Sequence, residues 1–444
     1  MRSRSRSAPH LGPGGRKVAS SLVPQSKVFR GWQASPDIAT APLTTIAAAD
    51  IAVGIVFGVL AGSNLIQGAW LRDYPWLDLT TVAFALALPI SLAGLRRSTN
   101  INVALLILLL MFALALGYLE PALSNGAAQK RLNLIIGVAF VFIASYLSLS
   151  NPRRLKWFFV TLVCLAIPVI AGQAVAPDPI ALATGRRTPI GLNAIGAGRA
   201  VGSALVLVLT MLVVQTKHRL SLGFLALVLG VSLYTDGSRG PVVGVLIAIV
   251  LMVWVHPTLR RVPKIASLVT LGAFVVFVYQ RSVSVGSRLA DLTSSGRNQL
   301  YTQAVRVAAE HPLGIGWGNF HRFAPAGSLG PHQNDNLYAH SIILEFWIEA
   351  GVLGALAFAA VSATILSIAF KHAARSGFGL ALAALLVSLL TGAMLSSDVI
   401  GNRMLWVVFG AVLAMKTTVA FNGASAAQVV PGENRARRHV GTHR

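Results

Sequence analysis

The chain has 444 residues, of which 55% are hydrophobic and only 11% are charged, and its mean hydropathy is +0.69. Soluble domains carry about 25% charged residues, so this composition excludes an ordinary soluble protein and favours one embedded in lipid. The formal net charge of +23 would suit a nucleic-acid binder. Most Lys and Arg residues, however, fall in the two tails and in short segments between apolar runs, which is typical of orientation in a membrane. We therefore expect no nucleic-acid partner, and membrane lipids as the surroundings.

The two ends of the chain differ from its middle. Residues 1–43 are basic, rich in Ser, Pro and Gly, and lack the apolar centre of a cleavable signal peptide. They predict a disordered, basic cytosolic tail, and residues 422–444 predict a second basic cytosolic tail. Between the tails, residues 44–421 predict one polytopic membrane domain. Its single Cys164 leaves no partner for an intramolecular disulfide.

The membrane domain consists of about twelve apolar runs, each near the ~20 residues that a helix needs to cross a bilayer. The runs lie at about 44–62, 77–95, 101–119, 132–149, 155–176, 195–215, 220–235, 241–255, 264–280, 342–370, 378–396 and 402–421. The sequence thus predicts an all-α integral membrane protein.

Basic residues in alternate connections set the orientation. Pairs such as Arg96 and Arg97, or Arg260 and Arg261, mark cytosolic segments by the positive-inside rule. Both termini are then cytosolic, and the only long connection, residues 281–340, is extracytoplasmic. We expect short helices in this loop, because residues 297–310 have a helical apolar pattern that ends before Pro312.

Several arginines fall on the outer side, where orientation gives them no role. Arg186 and Arg187 precede Thr188-Pro189, which we predict to be the N-cap and first residue of a helix. Arginines beside free helix N–H groups make an anion site. A solvated loop pair is the alternative.

Two further arginines lie among small residues. Arg199 is surrounded in sequence by Gly and Ala, so it must face an anion, a water-filled cavity, or a carboxylate such as Asp236 or Asp398. Arg239 follows Ser238 between two short apolar runs, where flanking glycines would let the backbone approach a ligand. A tight outer turn with an interfacial arginine is the alternative there.

The outer loop ends in a polar run that contains His332 and His340 and continues into an apolar helix. Glu349 follows His340 by nine residues, and Gly351 and Gly354 come next. A histidine at such a place is more often a cap or a packed side chain, but a neutral imidazole can also accept a proton from a hydroxyl. In a continuous helix Glu349 would face away from His340, so we expect it to join this helix to a neighbour.

This pattern resembles the signature of the O-antigen ligase and polymerase superfamily, in which a His followed by Ser or Asn opens a helix that ends in Glu-x-Gly-x-x-Gly. The Ser-Arg-Gly at 238–240 resembles a second superfamily element. The segment from Arg297 to Phe320, with its His-Pro-Leu-Gly-x-Gly-x-Gly-x-Phe, resembles a third. The resemblance covers about 186–356 in detail.

The resemblance implies a membrane glycosyltransferase that moves a glycan from an undecaprenyl pyrophosphate carrier to a hydroxyl of a glycan, lipid or protein acceptor, on the outer face of the inner membrane. It implies His340 as the general base, assisted by His332. Because arginines can stabilise a leaving pyrophosphate, we expect neither a metal nor another cofactor. The residues expected to hold the pyrophosphate are Arg239, Arg297, Arg199 and Arg187, with Ser238 in support.

Two questions stay open at the level of sequence. The motifs do not separate ligation of a finished polymer from polymerisation of repeat units. A transporter or flippase of lipid-linked sugars is the alternative from another class, because about twelve spans suit it equally well. Such proteins often consist of two related halves, which are not visible in this sequence.

Overall fold

The computed structural model describes residues 45–69, 78–95, 101–183, 186–214, 218–255, 296–323, 338–396 and 398–428. Within these ranges the chain forms helices joined by short connections and contains no β-strand. Residues 1–43, the predicted ninth span at 264–280, His332, and the end of the predicted C-terminal tail lie outside the described residues.

The described helices are α1 (Thr45–Ala69), α2 (Leu79–Gly94), α3 (Ile101–Leu116), α4 (Asn125–Ser148), α5 (Pro152–Val175), α6 (Pro179–Ala183), α7 (Ala194–Val214), α8 (Arg219–Asp236), α9 (Arg239–Val255), α10 (Gly296–Glu310), α11 (Ile342–Ala373), α12 (Gly377–Ser396) and α13 (Arg403–Gln428). Six of them, α4, α5, α7, α8, α11 and α12, are long and apolar enough to cross a membrane. Shorter apolar helices lie within α1, α2, α3, α9 and α13. The all-helical membrane class is confirmed, and the full number of spans stays a prediction.

Local signals explain where several helices begin and end. Asn151 caps α5, and Pro152 occupies its first position, where a missing N–H costs nothing. Asp78 caps α2, and hydrogen bonds from the Thr81 hydroxyl and the Thr80 N–H lower the pKa of its carboxyl. Gly237, with a φ of 71°, ends α8, so the two short runs predicted at 220–255 are indeed separate helices.

The helix start predicted at Thr188-Pro189 differs from the structure. Thr188 and Pro189 do not open a helix, because Pro189 pairs with Pro177 across the preceding loop. The Thr188 carbonyl accepts a hydrogen bond from the Asp178 N–H at 2.8 Å. Helix α7 begins at Ala194 instead, capped by Asn193, whose Oδ1 accepts the Ile195 N–H. Arg186 and Arg187 therefore do not lie at the N-terminus of α7.

The centre of the bundle is formed by α7, α12 and the first part of α13. About 72% of the most apolar stretch of α12 and 67% of that of α7 are buried inside the protein, against 22% of that of α8. Helix α12 packs against α7, α9, α11 and α13. Helix α12 is thus surrounded by other helices, which hold its C-terminal end in place at one end of the bundle.

Candidate functional site

The predicted outer arginines at 186–187 meet the turn between α8 and α9. The Arg187 N–H donates to the Thr235 carbonyl at 2.9 Å. The Arg186 side chain lies over Gly237, where an added Cβ would be 3.1 Å from its Cγ. Ser238 is buried and Arg239 is partly buried in the same turn. The structure thus brings Arg186, Arg187 and Arg239 to one end of the bundle.

Arg199 projects from the first turns of α7 towards the end of α12. Its two terminal nitrogens donate to the Gly401 carbonyl at 2.9 Å and to the Ser396 carbonyl at 3.2 Å. Its Nε is buried without a hydrogen-bond partner among the described residues. The Asp398 carboxylate lines a cavity together with Arg199 and attracts its guanidinium electrostatically, so one of the two acids considered as partners of Arg199 lies beside it.

Arg199 lines a cavity of about 300 Å³ between the starts of α7 and α13 and the end of α12. Several other polar residues line it together with Arg199. They are Asn193, Tyr338, Ser396, Asp398, Asn402 and Arg403. A cavity with two arginines and one carboxylate in its wall carries a net positive charge and suits an anionic group.

Arg403 is a cavity residue that the sequence did not single out. Its guanidinium lies over the Phe84 ring, 5.8 Å from the centroid, and donates to the Thr80 Oγ1 at 3.3 Å. A π-helical turn of α4 leaves Gly137 opposite its Nε, where an added Cβ would be 3.7 Å away. The sequence distinguishes Arg403 only as one more basic residue on the predicted outer side of the membrane.

His340 adjoins the cavity through Tyr338. The two ring centroids are 4.4 Å apart, and Tyr338 belongs to the cavity wall. His340 has a φ of 55°, in the left-handed region that residues other than Gly rarely adopt. Such strain is often found at functional sites. The next residue, Ser341, is the N-cap position of α11.

Helix α10 approaches the same place from the outer loop. Its Tyr301 hydroxyl donates to the His340 carbonyl at 3.4 Å. Position 297 lies one helical turn before Tyr301 on the same face, although the side chain of Arg297 is outside the described part of the structure. His311, at the other end of α10, packs its ring edge-on against Phe323 at 5.2 Å.

The glycine-rich segment after α10 locks into α11. Gly351 interrupts α11 with a φ of 77° and a ψ of 179°. The opened turn pairs with the Pro312–Gly316 segment through three backbone hydrogen bonds: Ile315 N–H to Ile348 O, Gly316 N–H to Glu349 O, and Val352 N–H to Pro312 O. The motif that begins at His311-Pro312 and the Glu349-x-Gly351 motif of α11 therefore form one interlocked unit, which fixes the outer loop to the first part of α11.

Glu345 and Glu349 face a common partner on α4. The Lys130 Nζ lies 2.5 Å from Glu345 Oε1 and 2.6 Å from Glu349 Oε2, and all three side chains are largely buried. Glu349 thus joins α11 to a neighbouring helix, as its spacing from His340 indicated. No group of three or more potential metal ligands occurs among the described residues. His332 and its neighbours in the chain lie outside the described residues.

Comparison with known families agrees with this geometry. The family described as O-antigen ligase matches residues 224–359, a range that includes most of α8, the Ser238-Arg239 turn, α10, His340 and Glu349. We call this matched range, residues 224–359, the O-antigen ligase region because of its similarity to that family. No curated protein matches the chain. Arg187, Arg199 and Arg403 lie outside the O-antigen ligase region and meet it only in the folded structure.

The match supports, at the family level, a membrane glycosyltransferase of the O-antigen ligase or polymerase type that acts in polysaccharide biosynthesis. The O-antigen ligase family implies a lipid-linked glycan as donor and a glycan as acceptor. Together with the apolar helices, it indicates a multi-pass protein of the inner membrane.

Proposed function

We propose that the protein transfers a glycan from undecaprenyl pyrophosphate to an acceptor hydroxyl on the outer face of the membrane, without a metal ion. His340 acts as the general base. Arg239, Arg297, Arg199 and Arg187 hold the pyrophosphate with Ser238 in support, and His332 assists His340. The observation that carries this proposal is Tyr338, which contacts the His340 ring and also lines the cavity with Arg199. A base and an anion site are thereby next to each other.

The chemistry needs these two functions side by side. The acceptor oxygen forms a bond to the anomeric carbon, and its proton passes to the imidazole of His340. The bond between that carbon and the pyrophosphate oxygen breaks, and the electron pair leaves with the lipid pyrophosphate. Arginines that form paired hydrogen bonds to phosphate stabilise the charge that grows on this leaving group. Attack opposite the pyrophosphate inverts the anomeric centre.

A transfer assay with the purified protein tests the proposal. The donor is a glycan on a polyprenyl pyrophosphate, the acceptor is a hydroxyl-bearing glycan or lipid, and mass spectrometry detects the product and the released lipid pyrophosphate. A single joined product indicates ligation, whereas a ladder of repeats indicates polymerisation. The proposal fails if wild-type protein transfers nothing and cells lacking it retain the lipid-linked glycan on the cytosolic face, as expected for a lost transporter.

A further inference from the structure

The buried cluster of Lys130, Glu345 and Glu349 treats its two carboxylates differently. Both oxygens of Glu345 accept hydrogen bonds, Oε1 from Lys130 and Oε2 from the Val399 N–H at 2.8 Å. Glu349 accepts from Lys130 through Oε2 only, and its Oε1 has no hydrogen-bond partner among the described residues. Both side chains are 1% exposed. The Glu345 carboxylate therefore connects α4 and α11 to the chain that precedes α13, and Glu349 does not.

Val399 is the second residue of the Asp398–Asn402 turn, which several hydrogen bonds hold in place. The Trp406 Nε1 donates to the Val399 carbonyl at 2.9 Å, so buried side chains bind both backbone groups of this residue. The Gly401 N–H donates to Asp398 Oδ1 at 3.0 Å, and the Asn402 side-chain amide donates to the Asp398 carbonyl. The turn is thus closed by its own hydrogen bonds and is bound to the buried side chains of Glu345 and Trp406.

The same turn orients Arg199. The carbonyl of Gly401 accepts one of its terminal nitrogens, and the carbonyl of Ser396, just before the turn, accepts the other. Glu345 lies in the first turn of α11, and this helix begins just after His340 and Ser341. One carboxylate is thus bound both to the start of the helix that follows the proposed base and to the turn whose carbonyl groups orient Arg199.

We infer that Glu345 is a positioning residue, which acts through the Asp398–Asn402 turn to set Arg199 relative to His340. The inference rests on the proposed function, because it concerns the alignment of two groups assigned there. Its physical basis is that misplacement by about 1 Å of a group that aligns the reacting atoms can lower a rate on the order of 100-fold.

The two glutamates offer a matched pair of variants. Glu345→Gln and Glu349→Gln each remove one carboxylate and leave Lys130 with the other, so the charge of the cluster changes equally. A glutamine has one acceptor and one donor group. At 349 its acceptor can face Lys130. At 345 both partners are donors, so one hydrogen bond must be lost.

Purified variants are compared by kcat and KM for the carrier-linked glycan, with thermal unfolding as the measure of folding. We expect Glu345→Gln to lower kcat/KM for the carrier by about 10- to 100-fold at a near-normal unfolding midpoint, and Glu349→Gln to lower it by less than about 3-fold. Equal activity losses in the two variants would overturn the inference, because they would point to a general role of the ion cluster.

A double-mutant cycle with Arg199→Ala separates positioning from a local structural effect. If Glu345 acts through Arg199, Glu345→Gln should add less than about 2-fold to the loss caused by Arg199→Ala. Losses that multiply would reject the inference. If Glu345→Gln does not accumulate, Trp406→Phe, which releases the other end of Val399, replaces it in the cycle. The expected result is the same, and undiminished kcat/KM would count against the inference. A wild-type protein without transfer activity would instead remove the proposed function itself.

Discussion

At the scale of single residues, the surroundings of His340 and His311 separate the roles of these two histidines. His340 is strained and touches the cavity wall through Tyr338, whereas His311 is packed against Phe323. We expect His340→Ala to reduce transfer by about 10²- to 10⁴-fold, the range typical of a lost general base. Membrane levels should stay near those of the wild type.

His311→Ala serves as the matched control, because it removes a packed histidine of the same outer loop. It should lower the unfolding midpoint and leave kcat close to that of the wild type. Near-normal transfer by His340→Ala together with loss in His332→Ala would show that His332 is the base.

The arginines should respond to substitution in another way. Arg239→Ala and Arg199→Ala are expected to raise KM for the carrier and to lower kcat, because both the bound and the leaving pyrophosphate lose hydrogen bonds. Lysine at either position should restore activity only in part, since a point charge replaces the paired donors of a guanidinium. The measurement is steady-state kinetics with varied carrier and saturating acceptor. Full rescue by lysine would contradict pairwise binding of phosphate by these arginines.

At the scale of elements, the interlock between the Pro312–Gly316 segment and α11 depends on Gly351. Its φ of 77° and ψ of 179° belong to a region that is essentially restricted to glycine. An added Cβ would lie 2.5 Å from the Leu313 carbonyl carbon. We expect Gly351→Ala to cost at least about 1–3 kcal/mol of stability from backbone strain alone.

Thermal unfolding in detergent measures this effect. Gly230→Ala in α8 is the control, because nothing lies within 4 Å of an added Cβ there. It should leave the unfolding midpoint unchanged or raise it slightly, since alanine favours a helix over glycine. An unchanged midpoint for Gly351→Ala would show that the interlock is not required for the fold.

The elements also show which features a sequence can reveal. The separation of α8 from α9 was predictable, because Gly237 and Ser238 interrupt an apolar run and the charge pattern requires a reversal there. The span predicted at about 195–215 matches α7, Ala194–Val214. The helix start predicted at Thr188-Pro189 was wrong, because the pairing of Pro177 with Pro189 across the loop has no local signal. The role of Glu349 in joining α11 to a neighbour followed from helix geometry. Its partner Lys130, 219 residues away, could not be identified from spacing.

The candidate site repeats this division between local and long-range information. His340 and Arg239 follow from motifs that act within a few turns of chain. Tyr338 and Arg403 enter only because α7, α12 and α13 bring their ends together around the cavity. Arg403 carries no motif of its own, so nothing but its predicted side of the membrane distinguished it from other arginines.

At the scale of the whole molecule, the outward placement of arginines replaces a metal in the proposed mechanism. Transfer by the purified protein should therefore be unchanged by an excess of EDTA. The matched control is the same preparation with magnesium or manganese added back, which should give no stimulation. Complete loss of transfer on chelation, restored by either ion, would reject charge neutralisation by arginines alone.

The last prediction concerns orientation, on which the site depends. The excess of basic residues in alternate connections predicts that both termini are cytosolic and that residues 281–340 are extracytoplasmic. All the proposed substrate-binding groups then face the side on which a lipid-linked glycan is consumed.

The native Cys164 is exposed on α5, so it is first replaced by serine to leave no other thiol. Single cysteines at Ser328, in the outer loop, and at Ser425, near the C-terminus, then report the two sides. A membrane-impermeant maleimide applied to intact cells whose outer membrane has been permeabilised should label Ser328→Cys. It should reach Ser425→Cys only after the inner membrane is opened. Labelling of Ser425→Cys from outside, with protection of Ser328→Cys, would place His340 and the arginines on the cytosolic side and would remove the proposed function together with the orientation.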